Sequence, residues 1–208
     1  MGGFDMKRRN VFLVLVMTIC MLLSACGSAK ADSLVGKWTG SLDLTNQIVQ
    51  NMVAANSALE KHAQFENLQF SVVFYFTADE VKVHIDEAST QQFVANMKTG
   101  VGNTVDAMVA AAAAENNMTV EAVYAGMGVT RDSYVQSLIE AMQLEAMVKS
   151  IAESLELKGA YKADEETIVV LYEDDTYEEM KYALDGDKLT ITISDGTNQY
   201  QIPCTKTK

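Results

Sequence analysis

The feature that most constrains this fold is a short alternation of apolar and polar residues that recurs along the chain. Three segments with this pattern precede residue 86, and five follow residue 156. Successive side chains of a strand point to opposite faces, so each segment predicts a strand with one buried face. Eight short antiparallel strands can close into a small barrel, whose interior is packed or holds one small ligand. The predicted strands are residues 34–44, 68–77, 81–85, 157–162, 167–172, 177–184, 189–194 and 199–205.

The turns between these segments favour antiparallel neighbours. Asp185-Gly186 is typical of a two-residue hairpin loop, and Asp195-Gly196 predicts the next turn. Pro203 lacks a backbone N–H, which predicts that the last strand lies at an edge or ends there.

The stretch between the third and fourth strands has helical periodicity instead. Apolar residues recur every three or four positions from residue 89 to 155, which predicts a long helical insertion. Ser89 with Gln92 fits a capping box at its start, whereas Gly100 and Gly102 predict a kink or a break in the first helix. The predicted fold class is therefore α+β, an antiparallel barrel of about eight strands with a helical insertion between strands three and four.

A different pattern marks the N-terminal segment. Lys7, Arg8 and Arg9 precede an apolar run over residues 11–23, which is too short to span a bilayer as a helix. A basic start, a short apolar run and small residues at its end are typical of a secretory signal. The run ends in Leu23-Ser24-Ala25-Cys26.

Leu23-Ser24-Ala25-Cys26 resembles the lipobox of bacterial lipoproteins. The resemblance implies that residues 1–25 are a signal peptide, that cleavage falls before Cys26, and that acyl chains such as palmitate anchor the protein through this cysteine. Two acyl chains give stable anchoring, so we expect a lipid-anchored protein on the extracytoplasmic face of the cell membrane. Residues 26–33 are small and polar, which predicts a lipidated flexible tether before a folded domain over residues 34–206. A plain secretory signal and an uncleaved anchor helix are the alternatives.

The first strand carries a second motif, Gly36-Lys37-Trp38, in which Trp38 faces inward with Leu42. A Gly-x-Trp on the first strand of an eight-stranded antiparallel barrel resembles the lipocalin (calycin-type) pattern, which implies that the Trp plugs one end of the barrel. Residues 34–206 are also similar to lipocalin-like lipoproteins of Gram-positive gut bacteria. That likeness rests on the Gly-x-Trp, the entry Leu42-Asp43-Leu44-Thr45 to a helix, methionine-rich helices and the hairpin at residues 184–189. It implies no particular activity.

Charge and motifs argue against several classes of function. The formal net charge of −12 disfavours binding to nucleic acids, because phosphate contacts need clustered Lys and Arg. The acidic residues between 173 and 179 lack the spacing of a calcium loop, and His62 and His84 have no metal-ligating neighbours in the sequence. Cys204 is a lone cysteine with no base placed near it by any motif. Since motifs for a nucleophile elbow, a phosphate loop and paired carboxylates are also missing, we expect no enzymatic activity, metal or cofactor.

Methionines in the predicted insertion indicate a binding surface. Met97, Met108, Tyr134, Met142 and Met147 are the candidates to face an apolar ligand or a partner, because methionine adapts to irregular surfaces. Packing against the barrel is the other explanation. The leading hypothesis is a non-enzymatic lipoprotein that binds an apolar small molecule or a partner protein.

The alternative is a structural, interaction or chaperone-like module with a filled barrel. The helices near residues 117–138 are similar to helices of trigger factor and parvulin-type chaperones, which implies binding of unfolded chains.

Overall fold

The computed structural model describes residues 28–194 and 196–207. Within them, eight antiparallel strands form a closed barrel, in which each strand pairs with the next and the last pairs with the first. The predicted barrel is confirmed, because the alternating pattern fixes which face of each strand is buried. The strands are β1 (Gly36–Asp43), β2 (Gln69–Phe76), β3 (Glu80–Ile85), β4 (Leu157–Ala163), β5 (Thr167–Leu171), β6 (Tyr177–Asp185), β7 (Lys188–Ser194) and β8 (Gln199–Thr207).

The helices lie before β1, between β1 and β2, and between β3 and β4. The predicted helical insertion between the third and fourth strands is therefore confirmed, and with it the α+β class. The helices are α1 (Ser28–Leu34), α2 (Thr45–Ala55), α3 (Glu87–Glu115), α4 (Val120–Met127), α5 (Arg131–Met142) and α6 (Leu144–Leu155), with a 3₁₀ turn at Ser57–Leu59 after α2.

The start of the insertion differs from the predicted capping box. The side chain of Asp86 accepts a hydrogen bond of 2.8 Å from the backbone N–H of Ala88, so α3 begins at Glu87. Ser89 has another role, since its hydroxyl accepts from the backbone N–H of Ser71 on β2 and donates to the carbonyl of Asp86. The predicted Ser89 and Gln92 capping box is thus wrong, and Asp86 is the N-cap.

The predicted break in the first helix of the insertion is also wrong. α3 continues through both Gly100 and Gly102. A Cβ at Gly100 would overlap the ring of Phe65, and a Cβ at Gly102 would lie 3.3 Å from Nη2 of Arg131. The two glycines allow other segments to approach α3 closely, so tertiary packing overrides their low helix propensity.

One end of the barrel is closed around Trp38. Its side chain is fully buried, and its Nε1 donates a hydrogen bond of 2.6 Å to the carbonyl of Leu34. The ammonium of Lys206 on β8 lies 5.0 Å from the centroid of the Trp38 ring. Trp38 is therefore packed on one side, satisfied at its only polar atom and covered by a cation.

α1 corrects the C-terminal part of the expected tether. Residues 28–33, predicted to be flexible, belong to a helix that ends at Leu34. Leu34 is fully buried, and the hydroxyl of Tyr161, which donates to the carbonyl of Thr77 at 3.0 Å, also lies 3.4 Å from the carbonyl oxygen of Ala31. The burial of one apolar side chain and the hydrogen bond from Trp38 hold this segment against the barrel. The predicted lipobox and Cys26 lie outside the described residues.

The other end of the barrel is covered by the helical insertion. Phe93 of α3 stacks on Phe70 of β2 with ring centroids 4.5 Å apart. Leu144 and Val148 of α6 belong to the same buried cluster as the inward-facing residues of the strands. The barrel and the insertion therefore share one hydrophobic core. Among the helices of residues 28–194, none combines the length and the apolar character needed to cross a bilayer.

Candidate functional site

The inside of the barrel is filled by side chains at its centre. A cavity of about 80 Å³ remains near α6, between Leu42, Phe74 and Met180 from the strands and Leu155 from the helix. A water molecule occupies ~30 Å³ in the liquid, whereas ligand pockets measure ~300–1,000 Å³. This cavity thus has room for a few waters only.

A larger apolar groove lies among the helices and has a volume of about 400 Å³. We call it the helical groove. Its walls come from α3, from α4 and α5, and from α2 with the segment that follows it. It is lined by Met52, Asn56, Leu59, Phe65, Val101, Thr104, Val105, Met108, Val109, Ala112, Val123, Met127, Tyr134, Leu138 and Met142.

Two hydrogen bonds hold the segment after α2 along α3. The backbone N–H of Gln64 donates to the hydroxyl of Thr104 at 3.0 Å, and the side-chain amide of Asn96 donates to the carbonyl of Asn67 at 2.8 Å. The Phe65 ring, which lies against Gly100, is placed between these two bonds. Thr104 is buried, yet its hydroxyl is satisfied, so the wall of the groove carries no unpaired polar group at this point.

A bidentate ion pair fixes α5 on α3 at the edge of the groove. Nε and Nη2 of Arg131 donate to the two carboxylate oxygens of Asp106 at 2.9 and 2.8 Å. The hydrogen bond from Arg131 holds the pKa of the Asp106 carboxyl below its usual value. Both side chains are about half exposed, so the pair contributes little stability but fixes the orientation of the helices.

Tyr124 places a buried hydroxyl beside this ion pair. Its side chain is only 7% exposed, and within the described residues its hydroxyl has no hydrogen-bond partner. Burial raises the pKa of the Tyr124 hydroxyl, and the negative charge of Asp106 raises it further. The preceding residue, Val123, lines the groove.

The predicted ligand-facing residues divide into two groups. Met108, Tyr134 and Met142 line the helical groove, as parts of α3 and α5. Met97 is 1% exposed and belongs to the hydrophobic core, while Met147 is half-buried and packs against that core outside the groove. The surroundings of Met97 and Met147 are those of the alternative explanation, in which these residues pack against the barrel.

Sequence reasoning missed the contribution of the segment around α2 to this site. Met52, Leu59 and Phe65 lie before β2 and line the groove together with residues of the insertion. α2 has an apolar face, yet none of its residues is fully buried. That incomplete burial is visible only in the folded protein, because it depends on which distant segments pack against α2.

Two observations on the described residues concern metal binding and thiol chemistry. No group of three or more His, Cys, Asp or Glu in this part of the chain is arranged to hold a metal ion. Cys204 is buried on β8, and burial raises the pKa of its thiol to about 12. Such a thiol stays protonated and is a poor nucleophile near neutral pH.

Comparisons of the chain with protein-family models, with curated proteins and with solved structures give no match.

Proposed function

We propose that this protein is a non-enzymatic, lipid-anchored binding protein of the extracytoplasmic face of the cell membrane, and that it binds an apolar small molecule in the helical groove. The observation that carries the proposal is the groove itself. Its volume of about 400 Å³ lies within the ~300–1,000 Å³ of small-molecule pockets, and apolar side chains make up most of its lining.

The composition of the lining favours an apolar ligand of variable shape. Met52, Met108, Met127 and Met142 contribute four flexible thioether side chains to its surface. Such side chains adapt to irregular apolar surfaces, and burial of apolar area gives ~25 cal/mol per Å² before the costs of binding. The barrel acts as the scaffold on which these helices are held. Trp38 at its closed end agrees with the lipocalin-like resemblance and supports a lipocalin-like origin for it.

A neutral apolar dye, N-phenyl-1-naphthylamine, tests the groove by its fluorescence on binding. Ala112 lines the groove, so Ala112→Trp should fill it and weaken dye binding by more than ~10-fold, which corresponds to about 1.4 kcal/mol. Ala114→Trp is the matched control, because Ala114 lies on the same helix and is exposed. Equal dye affinity in the two variants would place the binding elsewhere and refute this site.

The proposed anchor is tested separately, at Cys26. Replacement by Ala should prevent lipidation and leave the protein either unprocessed or released from the membrane. Metabolic labelling with a fatty acid and membrane fractionation would show this. A Cys26→Ala protein that is processed and retained in the membrane with unchanged mobility contradicts the lipobox interpretation.

A second candidate function is binding of an unfolded or partner chain at the same helices. Met127 of the groove lining is 45% exposed, and Met118 and Val120, which are exposed by 47% and 38%, add apolar surface at the start of α4. Reduced, carboxymethylated lactalbumin is a suitable probe. A protein that prevents its aggregation but binds no dye would favour this chaperone-like function over a small ligand.

A further inference from the structure

A second groove lies on the outside of the barrel, shares no lining residue with the helical groove, and has a volume of about 650 Å³. Its walls are the end of β1, the start of β2, the first turns of α2 and the first half of β8. Carboxamide side chains dominate the lining, so we call it the amide groove. They include Asn46, Gln47 and Gln50 from α2 and Gln69, Gln199 and Gln201 from the strands.

The amide groove exists because the pairing of β1 with β8 stops early. The ladder covers residues 37–40 of β1 and ends where Gly40 pairs with Cys204. The next residue of β8 towards its start is Pro203, which has no N–H to continue the ladder. Beyond this point Ser41 and Gln201 face the groove, and Pro203 itself is part of its wall.

Some polar side chains of the lining are hydrogen-bonded to one another, and others are not. Asp43 accepts from the backbone N–H of Thr45 at 2.8 Å and from the amide of Gln69 at 3.2 Å, and it is the one carboxylate that the described part of the chain contributes to the lining. Gln69 also accepts from the hydroxyl of Ser41 at 3.0 Å. These groups are engaged with one another and form the fixed part of the wall.

Four other carboxamides have no such partner. Within the described residues, no hydrogen bond engages the side chains of Asn46, Gln50, Gln199 or Gln201. They come from two elements that meet only in the fold, α2 and β8, and line the same groove. Each carboxamide offers two donor hydrogens and one acceptor oxygen, all without charge.

These uncharged donors and acceptors favour a ligand with neutral hydroxyl groups. Among residues 28–194 and 196–207, the lining contains no Lys, Arg or His to balance an anion, and its single carboxylate is already engaged, which leaves little for a cation. A hydroxyl both donates and accepts, so it can pair with either end of a carboxamide. The exposed ring of Pro203 provides apolar surface for the C–H face of a sugar ring.

We propose that the amide groove binds a neutral saccharide. The groove is large enough for several sugar units, since ~300–1,000 Å³ accommodates a drug-sized molecule. The proposal is independent of the apolar ligand, because the lining residues of the two grooves do not overlap.

Isothermal titration calorimetry of the full-length protein in detergent tests the proposal. The three neutral probes are maltohexaose, cellohexaose and mannohexaose. We expect at least one to bind with an affinity that does not change with ionic strength. The double variant Gln50→Ala, Gln201→Ala should weaken binding by ~10-fold or more, because two hydrogen bonds are lost. Gln91→Ala on the exposed face of α3 is the matched control and should bind as the parent does.

Three results would overturn the proposal. The first is no binding of any of the three saccharides to a protein that is folded by circular dichroism. The second is saccharide binding that the double variant leaves unchanged. The third is tighter binding of an uncharged polar peptide, such as a Ser-Asn-Gly repeat, than of any saccharide. The Ala112→Trp variant should bind the saccharide normally, so failure of the helical groove and failure of the amide groove are distinguishable.

Discussion

Among single residues, Trp38 contributes most to the closed end of the barrel. It is fully buried, its Nε1 has a hydrogen-bond partner, and Lys206 covers its ring. Trp38→Ala should therefore reduce the free energy of unfolding by ~3–5 kcal/mol, as measured for truncations of large core residues. Urea denaturation followed by circular dichroism measures this change. Trp38→Phe keeps most of the volume and should cost less, and a loss below ~1 kcal/mol for the Ala variant would contradict the described packing.

Two glycines of the helices should respond to alanine in opposite directions. A Cβ at Gly100 would overlap the Phe65 ring, so Gly100→Ala should destabilise the protein by ~1–3 kcal/mol from overpacking, offset by ~1 kcal/mol of helix propensity. At Gly126 of α4 a Cβ would meet nothing within 4 Å, and Gly126→Ala should stabilise by ~0.4–1 kcal/mol. Thermal unfolding of both variants measures the two changes in stability. Stabilisation at both positions would show that Phe65 is not held against α3.

At the scale of elements, the start of α3 depends on one side chain. Asp86 accepts from the backbone N–H of Ala88, whereas the side chain of Gln92 bonds only to Asn96 on the same helix. Asp86→Ala should cost ~0.5–2 kcal/mol, the usual value for an N-cap, and Gln92→Ala should cost less than ~0.5 kcal/mol. Chemical denaturation of the two variants separates the observed cap from the capping box predicted by sequence. A larger loss at Gln92 than at Asp86 would reverse this assignment.

The strands could be predicted from the sequence because alternation is a local property. In β2, for example, Phe70, Val72 and Phe74 are buried as their spacing requires. The helix boundaries and the sites depend on contacts between distant segments. Leu34 orders α1 through Trp38, and Phe65 lies on Gly100 from 35 positions away along the chain, so neither contact is visible as a periodicity. The amide groove required the meeting of α2 with β8. The predicted edge or strand end at Pro203 is wrong, because β8 continues through Pro203 to Thr207 and pairs with both β7 and β1.

For the whole molecule, one hydrophobic core joins the barrel to the insertion. The cluster of buried residues extends from Trp38 at the closed end, through Phe70, to Phe93 and Val148 in the helices. The backbone hydrogen bonds between strands, in contrast, are made within the barrel itself. β3 pairs with β4 across the insertion, through four residue pairs between residues 80–83 and 157–160. Backbone pairing can thus close the barrel without the helices, while side-chain packing cannot be completed without them.

This difference predicts the result of deleting the insertion. Replacement of residues 90–154 by a short polar linker should leave a β-rich protein, because the strands keep their ladder partners. The protein should also lose several kcal/mol of stability, since exposing each large apolar side chain such as Phe70 costs ~1.5–3 kcal/mol.

Circular dichroism and thermal denaturation measure the two effects, with Phe93→Ala in the full-length chain as the control for one contact, at a cost of ~3–5 kcal/mol. A random-coil spectrum of the deletion variant, or insolubility at every temperature, would mean that the ladder does not form without the helical core. In that case the insertion is a part of the folding unit, and the helical groove could not open or close as a separate body above the barrel.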